Sequence, residues 1–216
     1  MTTSTAMTRR LTIADVRVPA LLLALSLVPT LGGAARLLSV ASNRAITPDD
    51  ARFLDAPVPV VVHVLSATLY CWLGAFQFSR GFRLRWAGWH RHAGRLLALS
   101  GLLAGLSGLW MTAFYRIPSD LQGTLLQAVR LAVGAAMVAS IVLGVWSILR
   151  RDVARHEAFM IRAYALGQGA GTQALVLGPW MLITGESGGL TRDLLMTLAW
   201  GINVAVAEWV IARRAR

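Results

Sequence analysis

The chain has 216 residues, of which 56% are hydrophobic and 14% charged, and a formal net charge of +11. That is too little charge to cover a soluble globule of this size, and a mean hydropathy of +0.60 puts the chain in lipid. No run of alternating polarity with aromatic girdles occurs, so a membrane barrel is disfavoured and an all-α, integral membrane bundle is expected.

A spanning helix needs about 20 mainly apolar residues. Six windows meet that need, at about 18–40, 57–78, 96–115, 131–149, 163–184 and 194–211. They predict six transmembrane helices with both termini cytoplasmic: an N-terminal segment 1–17, a transmembrane domain 18–212 and a tail 213–216. Ahead of the first window, Arg9 and Arg10 open the stretch TRRLTI, which mimics a twin-arginine export signal. No clean small-x-small cleavage site follows, so a signal anchor is the expectation. Between the first two windows, TPDDARFL places Thr47 as N-cap, Pro48 at the first helical position and Asp49 and Asp50 in the first turn. A short surface helix is expected there, with Phe53 and Leu54 dipping toward the membrane. The connections RIPSDLQG and GESGGLTRD are short and polar, and Trp86, Trp89, Trp110, Trp180 and Trp209 fall near predicted span ends, where amphipathic rings anchor.

Placed on this topology, the charges separate. The cytoplasmic side carries fifteen arginines against Asp15, Asp152, Glu157 and Glu208, while the six arginines outside are matched by six carboxylates. The positive-inside rule accounts for the whole net charge, and nucleic-acid binding need not be invoked. Cys71 is the only cysteine, so no intrachain disulfide can form.

Four histidines are candidates for chemistry. His90, His92 and His156 fall at or near the inner interface, brought there by two similar arginine-rich turns. His63 sits near the outer side of the second span, about 25 Å along the helix from Arg80, and cannot share a metal with the others. At most one bis-histidine haem therefore fits, from His156 with His90 or His92, its propionates held by Arg95 and Arg162. A zinc or copper site lacks the usual ligand spacing. A polar group such as His63 in an apolar span faces the bundle interior, and Arg130 and Arg36 lie at comparable depth as possible neighbours. Arg162 and Glu208, at similar depth in the last two spans, can pair. Gly101, Gly105 and Gly108, and Gly167, Gly169 and Gly171, form small-residue faces for close helix packing or for a flat ring. Gln168, Gln173 and Asn203 offer polar contacts across the same interfaces. The chain has no phosphate-cradling loop, nucleophile elbow or paired carboxylates in the spans, which disfavours a hydrolase or an ATP-driven machine.

Three stretches carry a resemblance: His63 opening a span, WHRHAGR with His90, Gly94 and Arg95, and HEAFMIRAYAL with His156, Met160, Arg162, Tyr164, Ala165 and Leu166. Together they resemble a bacterial family of multi-pass membrane proteins, domain-of-unknown-function family 2306. The likeness runs from about His63 to Ala174, with Phe159 where the family usually has Trp. It implies a location in the bacterial inner membrane, favours His90 over His92 as a ligand, and is similar to b-type cytochrome bundles in its histidine-bearing spans. The expectation is one haem b near the cytoplasmic face, with His90 and His156 axial and electrons passing to or from a quinone or a membrane redox partner. The competing class is a non-enzymatic transporter or assembly factor that binds lipid or a partner protein.

Overall fold

The computed structural model describes residues 12–214, apart from 46, 48, 49 and 187. The export-signal mimic at Arg9 and Arg10, and Pro48 and Asp49 of the expected cap, lie outside the described residues. The described chain is helical, with no strand: α1 (Ile13–Ala41), α2 (Ala51–Asp55), α3 (Pro57–Gln77), α4 (Arg80–Arg85), α5 (Ala87–Phe114), α6 (Thr124–Leu149), α7 (Val153–Gly167), α8 (Gly169–Thr184) and α9 (Gly189–Arg214). Five of them, α1, α3, α5, α6 and α9, are long and apolar enough to cross a membrane.

The fifth predicted span is not one helix. Its residues fall across α7 and α8, which meet at Gln168, where the backbone leaves the helix at φ −77°, ψ 0°. Two glycines flank Gln168, and glycine is a weak helix former at every site it occupies. The carbonyls that the break releases at the end of α7 are taken up by other helices. Asn203 donates its side-chain amide to Ala165 (2.9 Å), Trp200 its indole N–H to Leu166 (3.3 Å), and Cys71 its thiol to Gly167 (3.7 Å). The break is thereby fixed by side chains from α3 and α9, as lipid requires of freed backbone groups.

The helices form a ring. α3 packs against α1 and α5, α6 joins α5 to α7 and α9, and α8 closes the circuit from α9 back to α1. Tyr70, Leu97, Ala104, Met137, Ile141, Ala163, Tyr164 and Leu166 make the buried core. Small residues allow the close approaches: an added Cβ would lie 2.7 Å from Tyr70 and Ile141 at Gly101, 2.8 Å from Val138 at Gly105 and 2.9 Å from Tyr70 at Gly167. Elsewhere the outer surface is leucine, valine, isoleucine and tryptophan, as for a protein solvated by hydrocarbon.

The short helix differs from its expected form. α2 begins at Ala51 with Asp50 rather than Thr47 at its N-cap position; the Asp50 carboxylate makes no bond to α2 and instead accepts the Thr47 N–H (3.1 Å) and the Arg36 guanidinium (2.8 Å). Phe53 turns inward instead of toward lipid. Its ring meets Tyr115 edge to face at 5.3 Å and lies under the guanidiniums of Arg36 (4.4 Å) and Arg52 (4.5 Å).

Candidate functional site

Inside the ring lies a cavity of about 460 Å³. Its volume falls in the range of small-molecule sites, about 300–1,000 Å³. It runs from the α2 end of the bundle, at Arg52, Phe53 and Tyr115, down to the α7–α8 break at Gly167 and Gln168. The wall is mostly apolar, and the glycines among its residues, Gly33, Gly105, Gly108, Gly134, Gly167 and Gly171, let neighbouring helices and side chains approach closely around it.

Three arginines line this space, Arg52, Arg130 and Arg192, and no carboxylate does among the described residues. All three are half-buried. Arg130 hydrogen-bonds the side-chain oxygen of Gln122 and lies within reach of the charges of Arg192, Asp193 and Arg52. Asp193 stands behind them, 2% exposed, and its charge acts on both Arg130 and Arg192, as that of Asp120 does on Arg192. The two Asp193 oxygens accept the N–H groups of Gly123 and Leu126, each at 3.2 Å, and so cap the first turn of α6 from α9.

His63 projects into the same cavity. Its Nδ1 lies 2.9 Å from the Ala104 carbonyl and 3.2 Å from the Ser107 hydroxyl. A carbonyl only accepts, so Nδ1 carries the proton and Nε2 presents its lone pair. Gly108 makes room for the ring, because a Cβ there would sit 3.3 Å from His63 Cε1. No described residue hydrogen-bonds Nε2.

The cavity floor is a hydrogen-bonded chain. Ser26 donates to the Gln168 side-chain oxygen (3.1 Å), Gln168 donates its amide to the Tyr164 hydroxyl (2.7 Å), and Tyr164 donates to the Cys71 carbonyl (2.6 Å). α8 starts at this level, and its first amides have no carbonyl four residues back within their own helix. Tyr70 is 2% exposed, and its hydroxyl has no partner.

The other expected residues gather at the opposite, α4 end. His90 and His156 lie within reach of each other's charge, and His92 is exposed. His156 Nδ1 sits 2.9 Å from the Gly144 carbonyl, while His90 Nδ1 is buried without a partner. Arg162 binds Glu208 through two bonds, Nε to Oε1 at 2.6 Å and Nη2 to Oε2 at 2.8 Å. Arg95 is exposed. Glu157 accepts Arg214 and faces Arg83 at 3.6 Å. Neither His90 nor His156 reaches the large cavity, and no cluster of three or more His, Cys, Asp or Glu suited to a metal ion occurs among the described residues.

The family model described as predicted membrane protein (DUF2306) matches residues 60–211. The chain belongs to that family. The DUF2306 segment contains all four histidines, together with Arg130, Arg192 and the α7–α8 break, whereas α1 and α2 precede it. No curated protein and no solved structure matches the chain.

Sequence reading named Arg130 and Arg36 as possible neighbours of His63; Arg130 lines the same cavity, Arg36 pairs with Asp50 outside it, and Arg52 and Arg192 were missed as members of one site. The available signal was Gly167-Gln168-Gly169 near the start of the fifth apolar window, which marks a helix interruption where a membrane protein lines a cavity.

Proposed function

We propose that this protein is a six-span inner-membrane protein with both termini cytoplasmic, which takes an anionic, largely apolar small molecule into its central cavity from the outer side. It belongs, on this reading, to the binding or transport class. The observation that carries the proposal is the cavity lining among the described residues: three arginines face it above walls that are mostly apolar, while the carboxylates that act on Arg130 and Arg192, Asp193 and Asp120, lie outside it. Guanidinium groups in a water-poor space attract anions more strongly than they would at an open surface. The sixth crossing is formed by α7 and α8 together. The topology follows from charge, since the α4 end holds most of the arginine excess.

The test uses the protein in lipid nanodiscs, with Cys71→Ser and a single reporter, Met111→Cys, on the cavity wall. Anionic sulfonatoethyl and cationic trimethylammonioethyl methanethiosulfonate are compared for rate. Relative to a free thiol, the anionic reagent should gain about tenfold over the cationic one, and Arg130→Gln should shrink that gain. Equal rates, or a cationic preference, would contradict the proposal.

A second reading rests on the α4 end. The partnerless Nδ1 of His90, and the Nδ1 contact of His156 with a carbonyl, which puts its lone pair on Nε2, suit a pair of haem ligands. Haem b bound there would supply electron transfer to a quinone or membrane partner. Arg162 is engaged by Glu208 and would have to exchange that partner for a propionate. A reduced-minus-oxidised spectrum with an alpha band lost in both His90→Ala and His156→Ala would establish this reading, and its retention in both would remove it.

A further inference from the structure

We infer that the central cavity binds a monocarboxylate together with one proton, which His63 holds on Nε2. The inference rests on the proposed anion-binding cavity and names the class of its occupant and what enters with it.

The helix levels set the geometry. Gly108 of α5 packs on the His63 imidazole, and the adjacent Leu109 packs on Gly134 of α6. His63 and Gly134 therefore stand at one depth. Arg130 comes one turn before Gly134 on the same face of α6, about 6 Å toward the α2 end. Both Arg130 and His63 line the cavity, so an anionic head drawn to the guanidinium comes up against the imidazole.

His63 offers that head a lone pair. Its Nδ1–H is engaged by the Ala104 carbonyl, so Nε2 can only accept while the ring is neutral. A carboxylate oxygen also only accepts, and two acceptors would face each other without a hydrogen between them. One proton resolves the conflict. If the occupant enters as the neutral acid, its O–H bond breaks as the Nε2–H bond forms; if it enters as the anion, the proton comes from water. Either way an imidazolium donates to a carboxylate while Nδ1 still donates to Ala104, and no oxidation or reduction takes place.

The surrounding charges suit one negative charge and no more. Arg52 of α2, Arg130 of α6 and Arg192 of α9 face the cavity, but Asp193 acts on Arg130 and Arg192, Asp120 acts on Arg192, and Arg52 and Arg192 keep further contacts. Tyr70 and Cys71 of α3 and Tyr115 after α5 also line it and are uncharged at neutral pH. Among the described residues, α1, α7 and α8 bring it no titratable side chain, and Arg36 of α1 is paired with Asp50. A monocarboxylate with its proton adds no net charge to a space inside the membrane, where charge is costly. A dianion would bring a surplus that one imidazolium cannot offset.

The experiment titrates sodium decanoate into the protein in lipid nanodiscs by calorimetry at pH 7, with empty nanodiscs subtracted. Phosphate and Tris buffers are compared, because their different ionisation heats report the protons taken up. Wild type should take up about one proton more per decanoate bound than His63→Gln, whose amide can still donate to Ala104. Proton-linked binding strengthens as pH falls, so between pH 8 and 6 wild-type affinity should rise by about tenfold or more relative to His63→Gln. That variant should still bind, with little pH dependence, which also reports that it is folded. Arg130→Gln should weaken binding and leave the proton count at about one. A wild-type count near zero would put a water between the two acceptors, and a count unchanged in His63→Gln would leave the proton on the carboxyl group; either overturns the inference. So does a decanoate heat no different from that of empty nanodiscs. The charge preference measured at Met111→Cys stands or falls separately, so failure here is distinguishable from failure of the anion-binding reading.

Discussion

His63 on α3 and Ala104 on α5 are joined by a 2.9 Å contact from the imidazole Nδ1 to a backbone carbonyl. The carbonyl belongs to a helix that also presents Gly108, where an alanine Cβ would come within 3.3 Å of the imidazole Cε1. Gly108→Ala should therefore tilt the ring and reduce occupancy of the cavity while lowering stability little, since the misfit is a few tenths of an ångström. Ligand titration and thermal unfolding of the same sample would separate these two effects. A large loss of stability would mean that Gly108 serves helix packing alone.

The helix break gives the opposite expectation. An added Cβ at Gly169 would strike the Trp200 indole, the group that satisfies the Leu166 carbonyl. Gly169→Ala should cost about 1–3 kcal/mol, both through overpacking and through loss of that bond. Thermal unfolding in detergent would show it as a lowered midpoint, with Gly178→Ala, which meets nothing within 4 Å, as the neutral comparison in the same helix.

Asp193 supplies both oxygens to backbone amides of the α6 N-terminus from within α9. Removing it leaves two donors in a buried place. Asp193→Ala should destabilise by about 1–3 kcal/mol, and Asp193→Asn by less, because one acceptor survives. Identical midpoints for wild type and Asp193→Ala would show that water reaches the cap.

The Arg36–Asp50 clasp makes the α2 end sensitive to acid. Burial pushes the Asp50 carboxyl up, but hydrogen bonds from Arg36 and Thr47 and the Arg36 charge outweigh it and hold the group below its ordinary 3.8. A lowered folded value means stability that is fully present above 3.8 and is lost as pH falls through the folded value. Limited proteolysis between residues 42 and 56 should accelerate only below that point in wild type, and already at neutral pH in Asp50→Asn. A pH-independent rate in wild type would contradict this.

Arg162 and Glu208 form a two-bond ion pair, yet their side chains are 36% and 48% exposed. In a double-mutant cycle the coupling should be only about 0.2–1 kcal/mol, as for other exposed pairs. A coupling several times larger would mean that the pair is shielded by lipid.

The parts of this molecule that could be read from sequence are those set by solvent. Apolar windows located five helices, and a histidine inside one of them had to face inward. Arg130 stands just ahead of the apolar window that begins at residue 131, so sequence places it only at the depth of His63 and does not extend the helix, which starts at Thr124, to include it. What could not be read depends on contacts between distant segments. Nothing local shows that Arg52, on a five-residue helix before the first matched residue, joins Arg192 near the start of α9. The Gln168 break was hidden because its cause is shared: flanking glycines weaken the helix, but Asn203, Trp200 and Cys71 stabilise the broken form. Phe53 was assigned to lipid by its hydrophobicity, and two guanidiniums and Tyr115 drew it inward instead.

The most direct test of a cavity open to the outer side is thiol labelling in right-side-out membrane vesicles. A membrane-impermeant anionic maleimide would be applied to Cys71→Ser protein carrying either Met111→Cys, within the cavity, or Arg44→Cys, exposed between α1 and α2. Labelling of both before the membrane is breached is the predicted result. Labelling of Arg44→Cys only after breaching would reverse the topology, and labelling of Arg44→Cys without Met111→Cys would show that the cavity has no outer entrance.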